Sequence, residues 1–258
     1  MYPNLFHISF LHTYGVLIAV AFLVGLWMVG RLAKEARINV DDATNLGLYC
    51  ALAAIAGAKL MMFLVDFGYY SQHPREIFSI ESLQAGGVFY GGLLVALAFS
   101  WWYMRKRNLP PLRTADIFAP AIALGHAIGR IGCFSAGCCW GQQCDRPWAV
   151  TFHSEEAHNR VGVPLGVPLH PTQLYESAAE FLIFAILYWR IRKTHEPGAI
   201  ISLYLILYSV TRFIVEFFRY HEQGNLLNGP LDTSQWISIV LFLVGAAHFV
   251  AHRKPQAA

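Results

Sequence analysis

Apolar residues run almost unbroken through seven stretches of about 20 residues, the length a helix needs to cross a bilayer. They fall at 12–31, 43–66, 86–104, 115–134, 171–190, 198–219 and 233–252. Segments rich in Pro, Gly or charge separate them. Gly137 to His170 is a long polar insert with short strand-like pieces such as Trp148 to His153. The pattern predicts an all-α polytopic membrane protein with about seven transmembrane helices. It reads as one integral membrane domain, 1–258, with the polar insert at about 137–170. No internal repeat is evident.

Composition agrees with the pattern. Of 258 residues, 56% are hydrophobic and only 14% charged, against roughly 25% charged in soluble domains. Mean hydropathy is +0.43. The net charge of +3 is small and dispersed, and no basic run with interleaved aromatics points to nucleic acid. Met1 to Phe10 lacks a basic segment followed by a cleavage site, so no removable signal peptide is expected.

Charge placement predicts the orientation. Arg31, Lys34 and Arg37 follow the first span, and Arg105, Lys106, Arg107 and Arg113 join the third to the fourth. Arg190, Arg192 and Lys193 end the fifth span, while Arg253 and Lys254 end the chain. An alternating arrangement puts all of these on one side, the cytoplasmic one. The N-terminus is then outside, the C-terminus inside and the polar insert periplasmic. Tyr14, Lys59, Tyr90, His126, Arg130, His170, Gln173, Tyr175, Glu176, Arg212, Glu216 and Arg219 fall at one depth, toward the outer leaflet. The stripe of Tyr69, Tyr70, Trp101, Trp102 and Tyr103 reads as interfacial belts.

Candidate chemistry lies where the apolar pattern is interrupted. Arg212, Glu216 and Arg219 follow one another at i, i+4, i+7, on one helical face with Tyr208 a turn earlier. An ion inside a span costs several kcal/mol and usually faces a bundle interior or a wet cavity. Such a stripe suits an anionic group, a phospholipid headgroup above all, although Arg212 and Glu216 also suffice to neutralise each other. A second interruption runs from Gly125 to Gly141, where five glycines surround His126 and Arg130. Glycine there permits close backbone approach, and a guanidinium forks onto phosphate with two parallel bonds. The bland alternative is a close-packed helix end with a snorkelling arginine. A cavity lined by Arg130, Arg212, Glu216 and Tyr14 is expected, with a lateral gap between helices to admit lipid.

Four cysteines, Cys133, Cys138, Cys139 and Cys144, cluster after this segment. Their spacing is not the paired C-x-x-C of common zinc sites. A bridge of Cys138 or Cys139 to Cys144 suits an extracytoplasmic location, with free packing thiols or a metal site as alternatives. Cys50 reads as a small core residue. No metal and no cofactor is expected. His126 and His170 are candidates for acid–base work, or structural interface histidines.

With these residues in place, the chain resembles the prolipoprotein diacylglyceryl transferase family over essentially its whole length. The family signature G-R-x-G-N-F-x-N-G-E-x-x-G is matched from Gly129-Arg130 to Gly141. His170-Pro171-Thr172-Gln173-Leu174-Tyr175-Glu176 is similar to its H-P-[ST]-Q-L-Y-E block. Arg212 to Arg219 is similar to R-F-x-x-E-F-x-R, and Gly86 to Leu93 to G-G-x-x-[HY]-G-G-L. Tyr14-Gly15 matches a motif of the first span. The chain departs at Cys133 and Ala136, where the signature has asparagines, and at Cys138, where it has glutamate. Tyr90 stands where many members carry a histidine proposed as base. The chain therefore looks like a cysteine-rich variant.

The resemblance implies transfer of diacylglyceryl from phosphatidylglycerol to the lipobox cysteine of a prolipoprotein signal peptide. A thioether forms and glycerol phosphate leaves. It implies a multi-pass enzyme of the bacterial inner membrane, expected to act as a monomer, with its active site toward the outer leaflet. Arg130 and Arg212 are the expected phosphate-stabilising groups, and Tyr90 or His126 the proton acceptor. Tyr14, Gly87, Gly91, Gly141, Gln173, Tyr175, Glu176, Tyr208, Glu216 and Arg219 are expected to bind lipid. Two alternatives stay open at this point: a lipid-binding or transport protein without turnover, and a membrane thiol-redox protein using the Cys133–Cys144 cluster.

Overall fold

The computed structural model describes residues 13–79, 82, 87–220 and 229–251. The leading segment Met1 to Phe10, Gly86, His252, Arg253 and Lys254 lie outside the described residues. Seven long helices are present among the described residues: α1 (Thr13–Glu35), α2 (Val40–Val65), α4 (Phe89–Lys106), α5 (Pro111–Ala136), α7 (Thr172–Arg190), α8 (Ala199–Glu216) and α9 (Thr233–Ala251). Two short helices, α3 (Phe67–Gln72) and α6 (Glu155–Val161), a 3-10 helix at Pro74–Phe78, and a two-stranded sheet of β1 (Val150–Thr151) and β2 (Pro168–Leu169) accompany them. The protein is an all-α polytopic membrane protein. Each long helix matches one of the expected spans to within a few residues.

Five of the seven, α1, α2, α5, α8 and α9, are long and apolar enough to cross a membrane by themselves. The other two carry polarity with a purpose. Helix α7 holds Glu176 and Glu180, both buried. Helix α4 ends in Arg105 and Lys106, whose cations lie over the rings of Trp101 and Trp102 at 4.3 and 4.8 Å. Lys193 and Arg192 cover Trp189 and Tyr188 likewise at the end of α7. Such cation–ring pairs suit the membrane interface, where aromatic rings and snorkelling cations collect. Apolar side chains such as Leu23, Leu52, Leu97, Leu182 and Leu243 stay more than half exposed, as lipid-facing residues do.

The chain divides into two compact units. One, Val29–Thr114, is built on the pairing of α2 with α4. Glycine makes that pairing possible: a Cβ on Gly91 would lie 2.6 Å from the Gly57 carbonyl oxygen, and one on Gly92 would lie 2.7 Å from that of Ala54. Small residues let backbones approach where lipid offers helices no hydrophobic drive to associate. Asn39 caps α2 by accepting from the Asp42 amide at 2.9 Å.

The other unit holds the described residues up to Met28 and those from Ala115 onward. Within it, Gly125, Gly129 and Gly132 of α5 face Ala21, Ile18 and Leu17 of α1. A buried core of Ala119, Ala123, Ile183, Leu187, Ile200 and Tyr204 joins α5, α7 and α8. Buried Asp116 of α5 accepts from the amides of Gly198, Ile200 and Ile201 at 2.7, 3.0 and 2.9 Å. Those donors would otherwise be orphaned at the start of α8, where the helix dipole also favours an anion.

The polar insert forms a small backbone ladder. Residues 140–144 run between the segment after α8 and β2: the Gln142 amide donates to Phe218 and the Gly141 amide to His170, at 2.8 and 3.0 Å. β2 in turn pairs antiparallel with β1. Sequence reading carried the sixth span through Arg219. Helix α8 instead ends at Glu216, and Arg219 pairs across the ladder with Gly141. Arg219 therefore leaves the helical face it was expected to share with Arg212. The ladder takes up backbone donors and acceptors that another turn of helix would have used.

Candidate active site

Glu176 is the centre of the site. It lies one turn into α7, and its side chain is 4% exposed. Arg130 of α5 pairs with one carboxylate oxygen through Nε. Arg212 of α8 and Arg219 share the other, the latter at 3.4 Å. Arg212 also meets Glu216 at 2.8 Å and donates to Ser234 Oγ at 3.3 Å. His126, one turn before Arg130, sets Nδ1 3.2 Å from Glu180 and Nε2 4.0 Å from Glu176. Three guanidiniums thus face two buried carboxylates, Glu176 and Glu216, and His126 faces a third, Glu180. Burial of that many ions is tolerable only because each is paired.

Arg130, Arg212, Glu216, Glu176, Arg219 and His126, chosen from the sequence, are gathered by the fold into one cluster. Tyr208 joins it, with its ring 5.8 Å from that of His126. Tyr14 packs beside Gly132, within electrostatic reach of Arg130 and the cysteines, and is 43% exposed. Glu180 was missed. Its signal was an acid at i+4 from Glu176 inside an apolar span, the same spacing that singled out Arg212 and Glu216. In this structure the guanidiniums are engaged by carboxylates rather than standing around an open cavity. An apolar groove of about 250 Å³ does open between α8 and α9, lined by residues such as Val210, Phe213, Ile214, Ile239, Phe242 and Leu243.

Other expected lipid-binding residues make contacts within the protein. Gln173 donates to the Cys138 carbonyl at 2.6 Å, and Thr172 to that of Cys139 at 2.9 Å. The Tyr175 hydroxyl accepts from Trp148 at 2.7 Å and bonds His170 Nδ1 at 3.0 Å. Gly141 sits where a Cβ would fall 2.6 Å from the carbonyl oxygens of both His170 and Phe218. Gly87, with φ +74, and Gly91 pack against Ala58 and Met61 in the other unit. Tyr90 opens α4, against Phe89 and 47% exposed.

All five cysteines are free thiols. The expected bridge of Cys138 or Cys139 to Cys144 is not made. Instead the sulphurs of Cys133, Cys138 and Cys139 gather within 4.8 Å of one another. Cys139 takes a left-handed backbone, φ +62, uncommon without glycine. Hydrogen bonds from Cys133 and Cys138, with Arg219 and Arg130 beyond them, hold the Cys139 thiol below the usual range. The same thiol contacts push Cys138 up. Arg130 Nη1 points at Cys133 Sγ, 3.9 Å away, so the thiols adjoin the arginine cluster.

Fold and site together define a class of polytopic membrane protein with a buried arginine–carboxylate centre. A sequence profile described as prolipoprotein diacylglyceryl transferase matches residues 3–251. A phosphatidylglycerol–prolipoprotein diacylglyceryl transferase of Clostridium tetani is 35% identical over 247 residues, 95% of each chain. Proteins of the same name from Finegoldia magna and Idiomarina loihiensis are 34% and 33% identical, over 93% and 98% of this chain and 91% and 93% of theirs. The chain belongs to the prolipoprotein diacylglyceryl transferase family.

Proposed function

We propose that the protein transfers the diacylglyceryl group of phosphatidylglycerol to the cysteine thiol of a prolipoprotein lipobox. It does so as a monomeric, single-domain enzyme of the bacterial inner membrane, with its site toward the outer leaflet. The observation that carries this is the convergence of Arg130, Arg212 and Arg219 on Glu176. Positive charge fixed in a low-dielectric site stabilises a leaving phosphate without reorganising as the charge develops. The groove between α8 and α9, lined by the face next to Arg212, suits an acyl chain.

The placement of His126 supports a part in the proton transfer: its Nδ1 lies 3.2 Å from Glu180 and its Nε2 4.0 Å from Glu176. With its Nδ1 proton on Glu180, His126 keeps Nε2 as the accepting nitrogen. The thiol proton passes to His126, sulphur attacks the glyceryl carbon, and the carbon–oxygen bond breaks toward glycerol phosphate. Tyr90 is the competing acceptor, favoured by its place in the sequence block.

The test is a reaction of purified protein with phosphatidylglycerol and a lipobox peptide, read by mass spectrometry for a thioether-linked diacylglyceryl group. Arg212→Ala should lose on the order of 10²–10³ in rate while remaining folded. Near-normal transfer by that variant would remove the arginine from the mechanism. Lipid binding without any adduct would favour the transport alternative.

A further inference from the structure

We propose that Cys133, Cys138 and Cys139 form a three-thiolate zinc site whose fourth position takes the acceptor thiol. The inference rests on the transferase reading and deepens it, by naming what activates the nucleophile. Three sulphurs within 4.8 Å of one another need little contraction. Tetrahedral zinc with Zn–S bonds of about 2.3 Å sets them about 3.8 Å apart. Among the described residues no fourth His, Cys, Asp or Glu joins the group. Closed structural zinc sites use four protein ligands, whereas three with an open position is the catalytic pattern. Thiolate is also the ligand that selects soft metals.

Linear spacing argued against a metal because it lacks the paired C-x-x-C of common zinc sites. The left-handed turn at Cys139 is what lets the sulphurs of Cys138 and Cys139 reach the same point. A strained backbone of this kind persists only where its surroundings hold it. Here Gln173 and Thr172 fix the carbonyls of Cys138 and Cys139, as outer hydrogen bonds do at metal centres. All three cysteines are half-buried rather than sealed in the core. Two of the three also stand where the family signature has asparagine and glutamate.

The chemistry fits the reaction. A thiol bound to zinc is deprotonated, and its proton passes through water to His126, two helical turns before Cys133. One zinc with three protein thiolates carries a net charge of −1, beside Arg130 and Arg219, which also pair with Glu176. The zinc-bound sulphur then donates its electron pair to the glyceryl carbon. The carbon–oxygen bond breaks, its bonding pair leaves on glycerol phosphate, and the thioether leaves the metal. Zinc is neither oxidised nor reduced.

The experiment uses the full chain, reduced, in phosphatidylglycerol nanodiscs. Zinc alone should bind at one equivalent and raise the melting temperature of the unaltered protein. Cys133→Ser, Cys138→Ser and Cys139→Ser should each weaken zinc by about 10–100-fold or more, and Cys144→Ser should not. Cobalt in place of zinc should show thiolate charge-transfer bands that change with a lipobox peptide but not with its serine counterpart. Chelation should cut transfer by about 10²–10⁴-fold, the scale of a proton-transfer contribution, and zinc should restore it. Undiminished transfer by metal-free protein overturns the zinc site and leaves the transferase reading standing. Cobalt bands indifferent to the thiol peptide overturn the acceptor role. A cobalt spectrum that responds to the peptide in a protein that transfers nothing supports the thiol site and sinks the transferase reading.

Discussion

Replacing Glu176 with glutamine keeps its shape and removes one charge, and three arginines feel the loss. Glu176 binds Arg130 through one oxygen, Arg212 and Arg219 through the other, and its side chain is 4% exposed. After Glu176→Gln only Glu216, 2.8 Å from Arg212, remains as a direct carboxylate partner of the three among the ion pairs described. Removing one side of a buried ion pair costs about 3–5 kcal/mol, mostly because the survivor stays buried and uncompensated. At about 2–4 °C per kcal/mol for a chain of this size, the melting temperature should fall on the order of 10 °C. The structure adds a sharper expectation. If the cluster is a phosphate site, an anionic lipid can stand in for the missing carboxylate. The loss should therefore be smaller in phosphatidylglycerol micelles than in phosphatidylcholine, whose ammonium offsets its phosphate. Thermal unfolding of wild type and variant in both lipids measures this. A loss under about 1 kcal/mol, the scale of an exposed pair, would refute the hub. Equal losses in the two lipids would refute the phosphate site.

Arg130→Lys and Arg212→Lys should each lower transfer by about 10²–10³, because lysine keeps the charge and loses the two-pronged donor; steady-state rates with folded variants check it. His126→Gln should cost about 10²–10⁴ in rate and Tyr90→Phe far less; the reverse order would move the proton acceptor to Tyr90. Gly141→Ala puts a methyl 2.6 Å from two carbonyl oxygens, beyond ordinary overpacking of about 1–3 kcal/mol. It should lower the yield of folded protein while phosphate-analogue binding per folded molecule is kept, as measured by calorimetry.

The apolar pattern determined the architecture on its own. A bilayer demands about 20 apolar residues per helix and satisfied backbone bonds within each helix, so seven spans could be read without knowing what packs on what. Ions inside such spans also declared themselves, because only function or pairing retains them there. Arg130, Arg212, Glu216 and His126 were legible for that reason. Orientation, too, was an expectation from charge placement alone, resting on loops rather than on contacts.

Tertiary structure decided which of these ions meet. Glu176 read as one lipid-binding residue among ten, yet it is the point where three elements bring their arginines together. Its partners lie 36 to 46 residues away in the sequence, and no local periodicity encodes a contact over that distance. Arg219 left the helical face because the backbone ladder with Gly141 ended α8 sooner than the apolar run did. The cysteines show the same division. Spacing alone favoured a bridge to Cys144 and spoke against a metal. One residue at φ +62 turned two adjacent side chains toward a third, and backbone handedness of that kind is set by what surrounds the loop, not by the order of its residues.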